Sequence, residues 1–292
     1  MPCLLKLQTP NSPGIITFTH NEVLRGVPAK SKLVKEYLNK SAEESHWIFG
    51  VHIQGDCSDL KTWPLERWQS FVMWSDTSAP ILAEIPSAQL TSITCVNFLP
   101  KQELLNQYRT WDICVVSRPS EIKKITETLL IIKELLKFKQ DLKVCLIVPD
   151  PRNCKFGEKA YKKQDIDRNF FELPKHIFTC AELKNISFIS SSQVAFGTFP
   201  LSDDLVADII GRSKFLLLTS RREGVPRVIA EAFTLGTPCI VSISLISGLQ
   251  QYMNSQNTLF IEEDVSKAAH QILHAFEFHI NLHQVYYQIF SI

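Results

Sequence analysis

The sequence lacks the features that mark secreted, membrane-spanning and nucleic-acid-binding proteins. Its eight cysteines form no Cys-x-x-Cys pair, and Cys114, Cys145 and Cys239 fall inside predicted buried strands, which argues against a disulfide framework. The N-terminus has no apolar signal segment, and no apolar run approaches the length of a transmembrane helix. A formal net charge of +1 gives no electrostatic footprint for nucleic acid. We therefore expect a cytoplasmic protein with reduced thiols.

Glycine is also scarce, with 10 residues among 292, and no Gly-Gly loop lies near the start of the chain. The apolar fraction is nevertheless 45%, which is ordinary for a globular protein and enough for two cores. A chain of this length suits one large or two modest domains. Short apolar strands alternate with amphipathic helical segments through residues 113–278, and this alternation predicts an α/β fold.

The segment 220–238 carries the densest functional signal. An apolar run at residues 215–218 leads into Ser220 and a Glu-Gly-x-Pro turn. A helix-favouring segment at residues 227–235 follows, and a second apolar strand is predicted at residues 239–241. Strand, loop, helix and strand in this order form half of a doubly wound α/β domain, in which ligands bind outside the carboxyl ends of the strands.

This segment resembles the donor-site signature of the retaining glycosyltransferases of the GT-B fold, chiefly family 4. The matching residues are Ser220, Glu223, Gly224, Pro226, Glu231, Ala232, Gly236 and Pro238. The resemblance implies that Glu223 contacts the transferred sugar and that Glu231 contacts the ribose of the donor nucleotide. The backbone N–H groups of Gly224 and Val225, at the start of the helix, offer positive dipole character to a diphosphate.

A second matching segment lies at residues 111–124, where a predicted strand at residues 113–116 is followed by Arg118 and, five residues later, by Lys123. The resemblance implies that these two cations stabilise the leaving diphosphate in place of a divalent metal. The alternative is that both are solvated loop charges. Lys124 stands where relatives usually have glycine, so we expect the loop not to adopt a glycine-only conformation, and either lysine fits the role.

Two further residues complete the predicted site. His52 lies at the end of a predicted strand, residues 47–53, and matches a histidine that contacts the donor sugar in the family; a plain polar residue is the alternative. Gly197 ends the strand that lies beside the nucleotide base in relatives. We expect neither a metal nor a further cofactor, because no metal-ligand cluster is visible near these motifs.

The resemblance implies two Rossmann-like domains that face a cleft. Residues 1–112 are expected to form a reduced acceptor-side α/β domain, with helices predicted at residues 28–40 and 64–74 and little periodicity over the first 45 residues. Residues 113–292 are expected to form the nucleotide-sugar-binding domain.

The predicted activity is transfer of a sugar, with retention, from a nucleoside-diphosphate sugar to a glycan, lipid-linked or small-molecule acceptor. Two alternatives stay open. One is a non-catalytic donor-binding subunit completed by a partner chain or a second copy, because the acceptor half is short; the other is a nucleotide-sugar epimerase of the same fold. The basic segment 28–40 either touches anionic lipid, which would place the protein peripherally at a membrane, or forms a solvated helix face. No nucleic-acid partner is expected.

Overall fold

The computed structural model describes residues 3–19, 23, 31–44, 46–53, 68–74, 87–89, 108–119, 121–149, 172–190, 201–223, 226–247 and 249–277. The chain divides into two compact units. The first contains the described residues up to 89 together with Glu223, Ser247 and Leu249, and the second contains the other described residues. The predicted domain boundary between residues 112 and 113 stays a prediction.

The first unit is built on a five-stranded sheet with the order β1-β2-β3-β4-β5. The strands are β1 Cys3–Lys6, β2 Gly14–Thr19, β3 Trp47–Ile53, β4 Gln69–Trp74 and β5 Ser87–Gln89. β1 runs antiparallel to β2, whereas the other neighbouring pairs are parallel. The strand predicted at residues 47–53 is confirmed as β3, but β1 and β2 have no counterpart in the prediction.

The helix predicted at residues 64–74 is wrong over its described part, because Gln69–Trp74 forms β4. The aromatic side chains of this segment recur at helical spacing, yet the segment pairs with β3 along its length. Its aromatic residues pack accordingly: the Phe71 ring covers Gly50 so closely that no Cβ would fit there. Trp68, which directly precedes β4, is 1% exposed and packs edge-on against Phe18 and Phe49 in the core.

The helix α1 at Lys32–Glu43 belongs to this unit and confirms the helix predicted at residues 28–40 in its described part. The Ser31 side chain caps its start by accepting a hydrogen bond from the Val34 N–H at 3.3 Å. The basic residues on its surface have acidic neighbours one turn away. Lys32 lies 3.7 Å from Glu36, and Lys40 lies 3.7 Å from Glu44.

The second unit is built on a six-stranded sheet with the order β13-β11-β9-β6-β7-β8, and all its neighbouring strands are parallel. These strands are β6 Trp111–Val116, β7 Val144–Ile147, β8 Ile186–Ile189, β9 Ser213–Leu218, β11 Cys239–Ser242 and β13 Thr258–Ile261. The helices are α2 Ile125–Phe138, α3 Leu173–Ile177, α4 Cys180–Leu183, α5 Asp203–Gly211, α6 Arg227–Thr234 and α7 Val265–Glu277. β10 Arg222–Glu223 and β12 Ile246–Ser247 pair with each other. The α/β class is confirmed.

Apolar side chains of the central strands and of α2 and α7 form the core of the second unit. Parallel strands covered on both faces read as continuous apolar runs, which is why their positions could be predicted from the sequence. The cysteines expected in buried strands, Cys114, Cys145 and Cys239, are buried and free. Burial raises the pKa of the Cys114 and Cys145 thiols to about 12. Among the described residues, no helix is both long enough and apolar enough to cross a bilayer.

Candidate functional site

The two motif segments meet at the carboxyl edge of the larger sheet. β6 and β9 are adjacent parallel strands, so the loop that carries Arg118 and the loop that carries Ser220 leave the sheet side by side. This is the edge at which open α/β sheets bind their ligands.

Thr219 joins the two loops through its side chain. Its Oγ1 lies 3.1 Å from the carbonyl oxygen of Lys123, 3.0 Å from that of Lys124 and 2.7 Å from the Thr128 hydroxyl. The residue is 5% exposed, so these contacts replace water for its hydroxyl. The Arg221 N–H adds a backbone bond of 3.3 Å to the Ile122 carbonyl. The predicted diphosphate loop, residues 117–124, is thereby fixed to the loop after β9.

The conformation of Lys124 corrects one expectation from the sequence. Lys124 adopts φ 47 and ψ 40, the left-handed conformation that we expected this position to avoid, and it is the one described non-glycine residue with positive φ. This backbone conformation costs a lysine about 1 kcal/mol relative to right-handed alternatives. Its ammonium lies 3.1 Å from Glu263 Oε1, and its side chain is 13% exposed.

The other predicted cations keep their places at this edge. Arg118 lies two residues after the end of β6 and is half-buried. Lys123, also half-buried, ends the 3₁₀ turn Glu121–Lys123 and precedes α2. Glu263 holds the ammonium of Lys124, and Arg118 and Lys123 each have an interaction of their own within the protein, so both lysines stay candidates for donor binding. Their role in donor binding stays a prediction.

The loop after β9 places the remaining described motif residues. Ser220 is fully buried, and its hydroxyl has no hydrogen-bond partner in the described structure. Glu223 is half-buried in β10. Pro226 is buried at the N-cap of α6, one residue before the first helical position at Arg227. Its φ of −72 is already close to the helical value, which prepares the helix start.

Glu231 is the buried carboxylate of the site. It lies on α6 about one and a half turns after Pro226 and is 6% exposed. Desolvation raises its pKa to about 6, with a smaller raising effect from Asp203 and an opposing, lowering effect from Arg227. Within the described part of the chain its carboxylate accepts no hydrogen bond. A buried carboxylate of this kind can accept bonds from two neighbouring hydroxyls of a ligand, such as a ribose diol.

The other four predicted residues lie outside the described ranges or in the sheet of the first unit. Gly224, Val225 and Gly197 lie outside the described residues. His52 lies in β3, with its backbone between Thr19 of β2 and Met73 of β4. Within the described ranges, no group of three or more His, Cys, Asp or Glu side chains is arranged to hold a metal ion. The roles proposed for these four residues stay predictions.

The sequence interpretation missed a carboxylate near the diphosphate loop. Glu263, which follows β13 by two residues, accepts a 2.5 Å hydrogen bond from the Ser244 hydroxyl and binds Lys124 through the same Oε1 atom. Arg221 Nε lies 3.8 Å from that atom. The Ser244 hydrogen bond and the Lys124 ammonium lower the pKa of Glu263. No pattern in the sequence marks this residue.

Arg109 was also missed. It binds the segment that follows the carboxyl end of α6. It precedes β6, and its Nη1 donates to the carbonyl oxygens of Gly211 and Ser213 and to the Thr237 hydroxyl, the last at 2.9 Å. Its Nη2 donates to the Gly236 carbonyl at 3.1 Å. Burial lowers the pKa of this guanidinium. The carboxyl ends of α5 and α6 are thereby held by one side chain.

Comparison with known proteins gives one family match and a set of similar folds. Residues 179–277 match the family model described as glycosyl transferases group 1. No curated protein sequence matches the chain significantly.

Among solved structures, the trehalose-6-phosphate structure from E. coli bound with UDP-2-fluoro glucose has a TM-score of 0.60 at 12% identity, over 96% of this chain and 70% of that chain. The UDP-forming α,α-trehalose-phosphate synthase from Burkholderia xenovorans has a TM-score of 0.59 at 10% identity, over 94% and 68% of the two chains. The pneumococcal O-GlcNAc transferase GtfA, in complex with UDP and GlcNAc, has a TM-score of 0.51 at 12% identity, over 90% and 54%. The chain has the GT-B fold of these structures.

Proposed function

We propose that this chain, with its group 1 glycosyltransferase domain at residues 179–277, transfers a sugar from a nucleoside-diphosphate sugar to an acceptor with retention and without a metal. The observation that carries the proposal is the hydrogen-bonded junction of the loops after β6 and β9. Through Thr219, this junction places the segment with Arg118 and Lys123 beside the segment that leads to Glu231.

The diphosphate is assigned to the cationic loop. Cleavage of the sugar–phosphate bond leaves the bonding electron pair, and therefore negative charge, on the departing diphosphate. Arg118 and Lys123 supply positive charge at that place, and preorganised charge of this kind lowers the barrier because it need not reorient during the reaction. The fixed loop geometry supports this assignment, since the 3₁₀ turn with Lys123 is tied by its carbonyl to Thr219.

The ribose is assigned to Glu231 and the transferred sugar to Glu223. The Glu231 carboxylate is buried and accepts no hydrogen bond within the described part of the chain, so a ligand diol would satisfy it. Glu223 lies in β10, three residues after Ser220. His52 and the backbone N–H groups of Gly224 and Val225 are proposed to complete the sugar and phosphate contacts. Retention and metal independence rest on the resemblance of these motifs to family 4 enzymes.

The nucleotide proposed first is UDP, because two similar structures were obtained with UDP or a UDP-sugar. The acceptor is proposed to be a glycan, a lipid-linked sugar or a small molecule. We propose a cytoplasmic location. The ion pairs of Lys32 and Lys40 with glutamates on α1 favour a solvated helix face over lipid contact, since they offset the positive charge that anionic lipid would attract.

Calorimetry with UDP, GDP, ADP and TDP tests the donor site, with Arg118→Ala and Glu231→Ala as the variants. We expect one diphosphate to bind at micromolar concentration and each substitution to weaken it at least about tenfold, as loss of a charged hydrogen-bonding partner does. Arg212→Ala is the matched control, because Arg212 pairs with Asp208 at the far end of α5.

Three other outcomes have different meanings. A blank across the nucleotide panel contradicts the proposal. Binding of a donor sugar without hydrolysis or transfer to any acceptor supports the donor-binding subunit instead. Conversion of the donor sugar without an acceptor product supports the epimerase.

A further inference from the structure

Three side chains at the carboxyl edge of the larger sheet converge on one carboxylate, that of Glu263. We call this group the Glu263 bracket; it consists of Lys124, Arg221, Ser244 and Glu263. Each member leaves the sheet after a different strand, namely β6, β9, β11 and β13. Glu263 Oε1 receives the Ser244 hydroxyl at 2.5 Å and the Lys124 ammonium at 3.1 Å, with Arg221 Nε at 3.8 Å.

The backbone under the bracket is continuous across three of these loops. The Arg221 N–H donates to the Ile122 carbonyl at 3.3 Å, and the Ile246 N–H donates to the Arg221 carbonyl at 2.9 Å. The loop after β9 therefore lies between the loops after β6 and β11. Glu263, which follows β13, joins these loops through its side-chain contacts with Lys124, Arg221 and Ser244.

The bracket also bears on the strained residue of the diphosphate loop. Lys124 is held in the left-handed conformation at the point where the 3₁₀ turn passes into α2. Its side chain is 13% exposed, and its ammonium lies 3.1 Å from the Glu263 carboxylate. A lysine in this conformation needs a compensating contact that a glycine would not need. The ion pair with Glu263 is the side-chain contact of this kind, beside the backbone hydrogen bonds of Lys124 with Glu121, Thr128 and the Thr219 hydroxyl.

We propose that Glu263 is a positioning residue for the donor diphosphate. By holding Lys124 in the left-handed conformation, it fixes the preceding turn and thereby the place of Lys123. The inference rests on the proposed donor site for its effect on binding. It goes beyond that proposal in two ways. It assigns the positioning of the diphosphate loop to Glu263, which touches no donor atom, and it removes Lys124 from the residues that bind the diphosphate.

Glu263→Gln tests the bracket, and Glu262→Gln is the matched control. Glu262 is the preceding residue, and its carboxylate binds Lys267 at 2.9 Å instead of the diphosphate loop. Two measurements are made on the full chain: the dissociation constant for UDP by calorimetry, and amide hydrogen exchange over residues 121–128. The Lys124 and Thr128 amides report the loop directly, because they donate to Glu121 and Lys124 carbonyls at 2.9 and 3.2 Å.

We expect Glu263→Gln to raise the UDP dissociation constant about threefold to fivefold and to speed exchange at these amides, as loss of a partly exposed ion pair permits. We expect Glu262→Gln to change neither. Lys124→Gly, which adopts the left-handed conformation unaided, should keep UDP affinity within about twofold. In that background, Glu263→Gln should have no further effect.

Each contrary result overturns the inference. If Glu263→Gln matches the control in hydrogen exchange, Glu263 does not hold the loop. If Glu263→Gln weakens UDP binding equally in the unaltered chain and in the Lys124→Gly variant, its effect does not pass through Lys124. If Lys124→Gly itself weakens UDP binding about tenfold, Lys124 contacts the donor. Should the unaltered chain bind no diphosphate, the proposed function fails, whereas hydrogen exchange still decides whether Glu263 holds the loop.

Discussion

Glu231→Gln is expected to stabilise the unliganded protein at neutral pH. Burial raises the folded-state pKa of Glu231 to about 6 from 4.5, its value when unfolded. The folded protein therefore holds the proton more tightly, and stability falls as pH rises from 4.5 to 6. A difference of about 1.5 pKa units corresponds to about 2 kcal/mol, which is lost in full above pH 6. The glutamine variant avoids this loss because it carries no charge to desolvate.

Urea denaturation at two pH values measures the effect. The linkage relation predicts a gain of about 2 kcal/mol at pH 7.5 and about 0.8 kcal/mol at pH 5. Glu262→Gln is the control for loss of one exposed negative charge, and we expect it to stay within about 0.5 kcal/mol at both pH values. A Glu231→Gln gain that is absent at pH 7.5, or equal at both, would refute the reasoning that burial of the ionised form destabilises the fold.

The same carboxylate gives the donor site a pH dependence. Ribose hydroxyls donate to the ionised form, so nucleotide binding should lower the Glu231 pKa and release a proton. With an unliganded pKa of about 6, UDP should bind about tenfold more weakly at pH 5 than at pH 7.5. The Glu231→Gln variant serves as the control, because any pH dependence that it retains comes from ionisation of the nucleotide and not of Glu231. An identical pH dependence in both proteins would exclude Glu231 from the ribose site.

Three further substitutions probe the framework of the two units, each by urea denaturation. Thr219→Val removes the buried hydroxyl that serves two loop carbonyls, and we expect a loss of about 1–3 kcal/mol with weaker UDP binding. Arg109→Ala leaves the carbonyls at the ends of α5 and α6 without their donor, and we expect a loss of about 2–4 kcal/mol. Trp68→Ala opens a cavity between Phe18 and Phe49, and we expect a loss of about 3–5 kcal/mol.

Conservative variants serve as controls for these three. Thr219→Ser keeps the hydroxyl and should recover most of the stability, so equal losses in Val and Ser variants would contradict the hydrogen-bond explanation. Arg109→Lys keeps the charge but not the planar fork, and full recovery would show that charge alone suffices. Trp68→Phe should lower the free energy of unfolding less than Trp68→Ala does. If Trp68→Ala leaves that free energy unchanged, the indole ring does not stabilise the core.

The sequence predicts the second unit well, because both faces of its sheet are covered. A helix predicted at residues 227–235 is observed at Arg227–Thr234, and strands predicted at residues 113–116 and 215–218 are each observed with two more residues at their starts. Long apolar stripes and unbroken apolar runs leave little ambiguity about the element type.

The first unit is harder to predict because its segments are short or half-exposed. Leu4 and Leu5 of β1 are 50% and 53% exposed, so no apolar alternation marks this strand. In β4, the sequence spacing of Trp68, Phe71 and Trp74 fits a helix, and pairing with β3 overrides it. Local pattern carries no information about such a pairing partner.

The residues of the candidate site also differ in how far the sequence could predict them. Glu231 could be proposed from the sequence because its motif is contiguous. Glu263 could not, since it meets Lys124 across 139 residues, and a single sequence does not record that contact. The left-handed conformation of Lys124 was unpredictable for the same reason, because the carboxylate that compensates it comes from a distant strand.

Arg109 has a consequence for the electrostatics of α5 and α6. Each helix carries about half a negative elementary charge at its carboxyl end, and one guanidinium bonded to both ends nearly neutralises the pair. At the opposite ends the helices differ. α5 begins with Asp203 and Asp204, whereas α6 has no acidic residue in its first turn. The positive pole of α5 therefore lies beside the protein's own carboxylates, whereas the first turn of α6 supplies none to its own pole.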